Sequence, residues 1–138
     1  MRTWVFRKFR IVRRSRRLTR TSFSKKSPAD YLKYKEQTRA LVTQKIAEYN
    51  AFYNFTVGKI AIRNQRSRWG SCSKKGNLNF NYRLALLPDE LASYVVVHEL
   101  CHIGEFNHSK DFWNLVAQTM PNYLTLRKQL HQIKFGVV

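Results

Sequence analysis

Residues 98–108, HELCHIGEFNH, hold three of the four histidines of this 138-residue chain and directly follow the apolar run YVVV. Five of the eight carboxylates also fall between positions 89 and 111. The apolar run predicts a helix that packs into the core, where a histidine or a carboxylate without a partner is costly. The fold must therefore provide partners for these groups, and a shared ligand is one way to do so.

The spacing of the first two histidines suits a metal ion. His98 and His102 are four residues apart, so on a helix they lie on one face, about 6 Å apart along the axis. Two imidazole nitrogens at this spacing can reach one Zn²⁺ ion at about 2 Å each. Glu99 lies to their side, where the HExxH pattern has its general base. We therefore predict Zn²⁺ as the cofactor and Glu99 as the catalytic residue.

A catalytic zinc needs a third protein ligand and an open fourth position. Glu105 is seven residues from His98, about 10.5 Å along a helix axis, which is too far for both side chains to share one ion. His108 avoids this problem if the helix ends near Gly104 and the chain reverses through Asn107, a residue that tolerates the left-handed conformation. We therefore predict His108 as the third metal ligand.

Other polar residues near the motif have open roles. The carboxylates of Glu105 and Asp111 either accept a hydrogen bond from a ligand imidazole or are solvated. Cys101 is either a soft metal ligand or, as we expect, a small buried hydrophobe. With Cys72 it makes no disulfide framework, and both cysteines fit a reducing cytoplasm, which is the expected location.

The hydrophobic pattern predicts an α+β fold, because helices and a hairpin follow each other without regular alternation. No apolar run is long enough to cross a bilayer, so no membrane partner is expected. The predicted elements are a helix at 28–53, strands at 59–64, 68–73 and 78–81, and helices that start at about 87, 110 and 122, the first of which ends near 104.

The formal charge of +18 is unevenly distributed along the chain. Residues 1–29 contain eleven Lys and Arg and no acid, whereas the rest has fifteen basic and eight acidic residues. We predict a basic segment, 1–26, followed by a domain at 27–138. The segment is an edge strand of the fold, an Arg-rich transit peptide, or an arm that binds nucleic acid non-specifically through its phosphates.

Three separated segments, 63–88, 95–102 and 107–113, strongly resemble the YgjP-like metallopeptidase family, which is related to the SprT/Spartan and Wss-type proteases. The resemblance extends from about residue 30 to the C-terminus. It implies a minimal zincin-like fold with a long N-terminal helix, a small antiparallel sheet or hairpin, the HExxH helix and C-terminal helices. By position, it also implies that His98, His102 and His108 bind the metal and that Glu99 is catalytic.

The resemblance further implies a zinc metallopeptidase with a peptide or protein substrate. Two other functions stay open at this point. One is a metal-dependent hydrolase that cleaves a different bond, because HExxH determines water activation and not the bond cleaved. The other is a basic nucleic-acid-binding protein with a structural metal, which requires a fourth protein ligand such as Cys101 or Glu105.

The strand before the site helix is expected to hold an extended substrate through main-chain hydrogen bonds. The candidate substrate-binding residues are Arg68, Trp69, Gly70 and Ser71, with Gly70 allowing another backbone to approach closely. In the alternative interpretation, Trp69 belongs to the core and Arg68 to a structural ion pair. The oxyanion that forms during hydrolysis needs a further donor, for which the candidates are Tyr82, Tyr123 and His131.

Overall fold

The structure is a computed structural model that describes residues 28–133, so the predicted basic segment at 1–26 lies outside the described residues. These residues form an α+β fold, as predicted, and none of their helices has the length and apolarity to span a bilayer. The elements are α1 (Pro28–Tyr53), β1 (Ile60–Arg63), β2 (Gly70–Cys72), β3 (Leu78–Asn81), a 3-10 helix (Tyr82–Leu86), α2 (Asp89–Gly104), α3 (Lys110–Thr119) and α4 (Tyr123–Gln132).

The sheet has β3 at its centre, with β1 on one side and β2 on the other. β2 and β3 form the predicted antiparallel hairpin, which turns at Gly76 with a positive φ of 78°. β1 instead pairs with β3 in parallel, a pairing that the sequence pattern did not indicate. The parallel pairing arises because residues 64–69 carry the chain across to the far side of β3. Within residues 28–133, β2 is therefore an edge strand, and it lies against α2.

Helix α2 lies at the centre of the fold and contacts α1, α3, α4 and β2. Its middle is apolar on every side, as expected for a helix surrounded by other elements, and the run from Leu91 to Val97 is wholly buried. The helix ends at Gly104, as predicted. A Cβ at that position would lie 2.7 Å from Cζ of Phe55, so a larger residue there would clash with the Phe55 ring.

Buried polar side chains attach α1 to the elements around it. The fully buried Thr38 hydroxyl donates to the backbone carbonyl of Tyr82 at 2.6 Å. The Lys45 ammonium donates to the Ser93 hydroxyl at 2.7 Å and also pairs with the Asp89 carboxylate at 2.7 Å. These contacts tie α1 to the 3-10 helix and to the first two turns of α2, and so fix the position of α2.

Asn81 anchors the segment that precedes β2. Its fully buried amide donates to the backbone carbonyls of Gln65 and Arg68 at 2.9 and 3.0 Å. Its side-chain oxygen accepts from the backbone N–H of Arg83 at 3.1 Å and so caps the 3-10 helix, an element that the hydrophobic pattern did not predict. One buried side chain therefore fixes the segment that brings Arg68 beside α2.

We predict that Thr38→Val destabilises the fold by about 1–3 kcal/mol, because it takes a donor away from the buried Tyr82 carbonyl while keeping the side-chain shape. The measurement is the free energy of unfolding from urea titration. Thr43→Val is the matched control, since Thr43 is exposed on the same helix, and we expect it to change stability by less than about 0.5 kcal/mol. Equal losses for the two variants would contradict the role given to the Thr38 hydroxyl.

Candidate active site

Three imidazole rings converge at the C-terminal end of α2. The Nε2 atoms of His98 and His102 are 3.2 Å apart, and each is 3.1 Å from Nε2 of His108. Two nitrogens bound tetrahedrally to one zinc at about 2.0–2.1 Å are separated by about 3.3–3.4 Å. The triangle therefore has nearly the size that a single zinc ion requires.

The protonation of His102 supports the same conclusion. Its Nδ1 lies 3.2 Å from the backbone carbonyl of Glu105. A carbonyl only accepts hydrogen bonds, so Nδ1 must carry the proton, and Nε2 of the neutral ring then directs a lone pair at the other two histidines. For the carboxylates of Glu105 and Asp111, the sequence left open either acceptance of a hydrogen bond from a ligand imidazole or solvation. The structure instead uses the Glu105 backbone, and Asp111 is exposed in the first turn of α3.

Burial keeps the histidines of α2 in the neutral form that binds metal. It lowers the pKa of His98 to about 3, with smaller contributions from His102, His108 and the charge of Arg127. Burial also lowers the pKa of His102. Within residues 28–133, Nδ1 of His98 is buried without a hydrogen-bond partner. These rings are therefore costly to charge and well suited to share a cation.

The ring of Phe112 packs against all three histidines. Its fully buried ring stacks on His102, with centroids 4.4 Å apart, and lies 5.0 Å from both His98 and His108. Trp113 stacks beside His108 at 5.8 Å. Sequence spacing gave no sign that these two aromatics of α3 pack against the histidines.

His108 reaches the cluster from the short connection between α2 and α3. Glu105 ends α2 in an extended conformation, and Ser109 caps α3 by accepting from the backbone N–H of Phe112. The prediction that Asn107 adopts the left-handed conformation is wrong. In the described part of the chain, positive φ values occur at Asn54 and Gly76, so the reversal needs no left-handed residue.

Glu99 lies next to the cluster and is 6% exposed. A Cβ built on Gly70 would lie 2.8 Å from Cγ of Glu99 and 3.1 Å from its Oε1, so the glycine makes room for this carboxylate. From the sequence we expected a different role for Gly70, which was to let a substrate backbone approach closely. Burial raises the pKa of Glu99 to about 8, and the nearby charge of Arg68 opposes that rise.

Two cavities adjoin the histidines. The larger, of about 480 Å³, lies between the β2 side, where Arg68, Trp69 and Gly70 line it, and α4. The smaller, of about 280 Å³, is lined by Arg68, Gly70 and Ser71 among others. Glu99 lines both cavities. All four predicted substrate-binding residues thus border the space beside Glu99, and their role in binding substrate stays a prediction.

Among residues 28–133, the histidine, cysteine and carboxylate side chains that gather closely enough to hold a metal are His98, His102 and His108. Cys101 is fully buried in the hydrophobic core and lies outside this group, as does Glu105. The described residues therefore bring together three side chains that could hold a metal ion, with neither Cys101 nor Glu105 as a fourth.

The three candidate oxyanion donors occupy different places. His131 lines the larger cavity. Tyr123 stacks on Trp113 at 5.2 Å, one ring away from His108. Tyr82 is buried and packs against Tyr31 at 5.7 Å, on the α1 side of the fold, so only His131 among the three borders the space near Glu99.

Three crystal structures have a similar fold. Two are metallopeptidase zymogens, abylysin from Pyrococcus abyssi, with a TM-score of 0.56 and 22% identity, and jannalysin from Methanocaldococcus jannaschii, with a TM-score of 0.54 and 23% identity. Each match covers 69% of this chain, and 92% and 94% of the respective zymogens. The third is a Wss1 mutant from Saccharomyces cerevisiae, with a TM-score of 0.55, 18% identity, and coverage of 78% of this chain and 88% of Wss1.

Sequence comparison agrees with this likeness of fold. No curated protein matches the chain significantly. A family model does match, and its description is a YgjP-like metallopeptidase domain. The match extends over residues 8–133, which is most of the chain and includes all three converging histidines and Glu99. The chain therefore belongs to the YgjP-like metallopeptidase family.

Proposed function

We propose that this protein is a zinc-dependent peptidase in which His98, His102 and His108 hold the metal. The observation that carries the proposal is the convergence of three Nε2 atoms within 3.1–3.2 Å of one another. Three neutral imidazoles cannot bring their Nε2 lone pairs this close together without a proton or a cation between them. Membership of a metallopeptidase family supports peptide or protein substrates.

His98, His102 and His108 would hold a zinc ion, which would act as a Lewis acid on the scissile carbonyl and lower the pKa of water toward about 7. Glu99 accepts a proton from the attacking water as the new C–O bond forms. It then gives the proton to the leaving nitrogen as the C–N bond breaks, so the products are a carboxylic acid and an amine, which exchange the remaining proton to become a carboxylate and an ammonium group. The Glu105 carbonyl keeps His102 in its metal-binding tautomer throughout.

The substrate is proposed to bind as an extended strand along β2. In the described residues, β2 has a strand partner on one side only, so main-chain groups on its other side can pair with a peptide. Gly70 and Ser71 of this strand border the cavities beside Glu99. A peptide bound there would pass directly over the Glu99 carboxylate, the proposed general base.

We predict that His108→Ala lowers zinc affinity by more than about 100-fold, a loss beyond the range typical for residues that only orient a ligand. Glu105→Ala is the matched control. It keeps the backbone carbonyl that accepts from His102 and removes only the carboxylate, so zinc affinity should change little. Competition with a chelator measures both constants, and a loss for Glu105→Ala as large as that for His108→Ala would show that the third ligand is misassigned.

We further predict that Glu99→Gln retains zinc but lowers the rate of peptide hydrolysis by about 10²–10⁴-fold, because an amide cannot accept the proton of the attacking water. Zinc content and cleavage of a peptide mixture by mass spectrometry are measured on the same sample. Glu90→Gln, an exposed change on the same helix, keeps an acceptor for Asn122 and should leave both quantities unaltered. A Glu99→Gln protein that cleaves as fast as the parent would refute the general-base role.

A further inference from the structure

The charges around the larger cavity are unbalanced. The ionisable carboxylate that lines it is Glu99, at its base, and the cations that line it are Arg68 on the β2 side and Arg127 on the α4 side. Arg68 also borders the smaller cavity, whereas Arg127 borders the larger one alone. Arg127 therefore places a positive charge on the α4 side of the larger cavity, opposite the proposed substrate strand β2.

Aromatic stacking holds Arg127 in this place. Its guanidinium carbon lies 4.9 Å from the centre of the Trp113 ring. That ring also stacks with Tyr123, at 5.2 Å, and with His108, at 5.8 Å. A guanidinium that lies on an aromatic face keeps the N–H groups at its edge available, and these match a carboxylate in a two-point hydrogen bond.

No carboxylate of the described residues neutralises Arg127. The ion pairs within residues 28–133 are Arg39–Glu36 and Lys45–Asp89, and both lie outside the cavity. Arg127 instead lies over the Trp113 ring and borders the larger cavity.

We propose that Arg127 binds a carboxylate of the peptide substrate and so determines specificity, an inference that rests on the proposed peptidase function. The carboxylate belongs either to an Asp or Glu side chain close to the scissile bond or to the C-terminus of the peptide. Both present the same planar pair of oxygens to the guanidinium. The cavity, at about 480 Å³, has room for a carboxylate side chain beside Trp113.

The test uses matched peptides built on one sequence that the wild-type protein cleaves. In the first pair, Glu is exchanged for Gln beside the scissile bond and both ends are blocked. In the second pair, a neutral peptide carries a free C-terminal carboxylate or an amide. We expect the carboxylate member of at least one pair to have a kcat/KM more than about tenfold higher, which is about 1.4 kcal/mol of transition-state binding. The pair that shows the preference identifies the source of the carboxylate.

Arg127→Gln should bring that ratio close to one, and Arg127→Glu should favour a Lys peptide over the Glu peptide. Arg127→Lys should keep part of the preference, because the charge remains but the two-point geometry is lost. Lys128→Gln is the matched control, since Lys128 is exposed on the same helix and does not line the cavity. If Arg127→Gln slows all peptides equally, the residue only supports Trp113, and the specificity role is wrong.

A binding measurement separates this inference from the proposed function. Fluorescence anisotropy of the same peptides is recorded on zinc-loaded Glu99→Gln protein, with and without Arg127→Gln. Tighter binding of the carboxylate peptides that disappears with Arg127→Gln supports the inference even if no cleavage is observed. Equal binding of all peptides, together with cleavage by the wild-type protein, would leave the peptidase function standing and overturn the carboxylate site.

Discussion

The close approach of three imidazole nitrogens, at 3.1–3.2 Å, is the contact on which the rest of this structure depends. Lone pairs at this distance repel each other, and the low pKa of His98 shows that protonation of the buried ring is an expensive way to relieve the repulsion. A divalent cation relieves it for all three rings at once. The apolar surroundings of α2 and the ring of Phe112, which packs against the histidines, hold the three imidazoles close together.

The surrounding fold positions the side chains of Glu99 and Arg127 near the histidines. Asn81 ties down the segment before β2, and Gly70 of that strand leaves space that the Glu99 side chain occupies. On the other side, α3 and α4 contribute the aromatic stack that carries Arg127. The site thus lies between a sheet edge and two helices, with the buried Glu99 carboxylate near the sheet and the Arg127 guanidinium on the α4 side.

Local spacing explains what could be predicted from sequence. The helix at 28–53, the hairpin and the convergence of His98 and His102 follow from periodicity over a few residues, and the structure agrees with each. The position of His108 could be anticipated because a short connection leaves few alternatives, although the left-handed Asn107 expected there does not occur. The parallel pairing of β1, the support from Phe112 and the placement of Arg127 depend on contacts between distant segments, for which sequence spacing carries no signal.

The central claim is that the histidines form an open metal site. A crystal structure of the zinc-loaded wild-type protein, with the metal identified by anomalous scattering at the zinc edge, tests it most directly. We expect one zinc bound by Nε2 of His98, His102 and His108, with water in the remaining position and Glu99 beside it. A fourth protein ligand on the zinc, such as Cys101 or Glu105, or zinc bound away from these histidines, would contradict it.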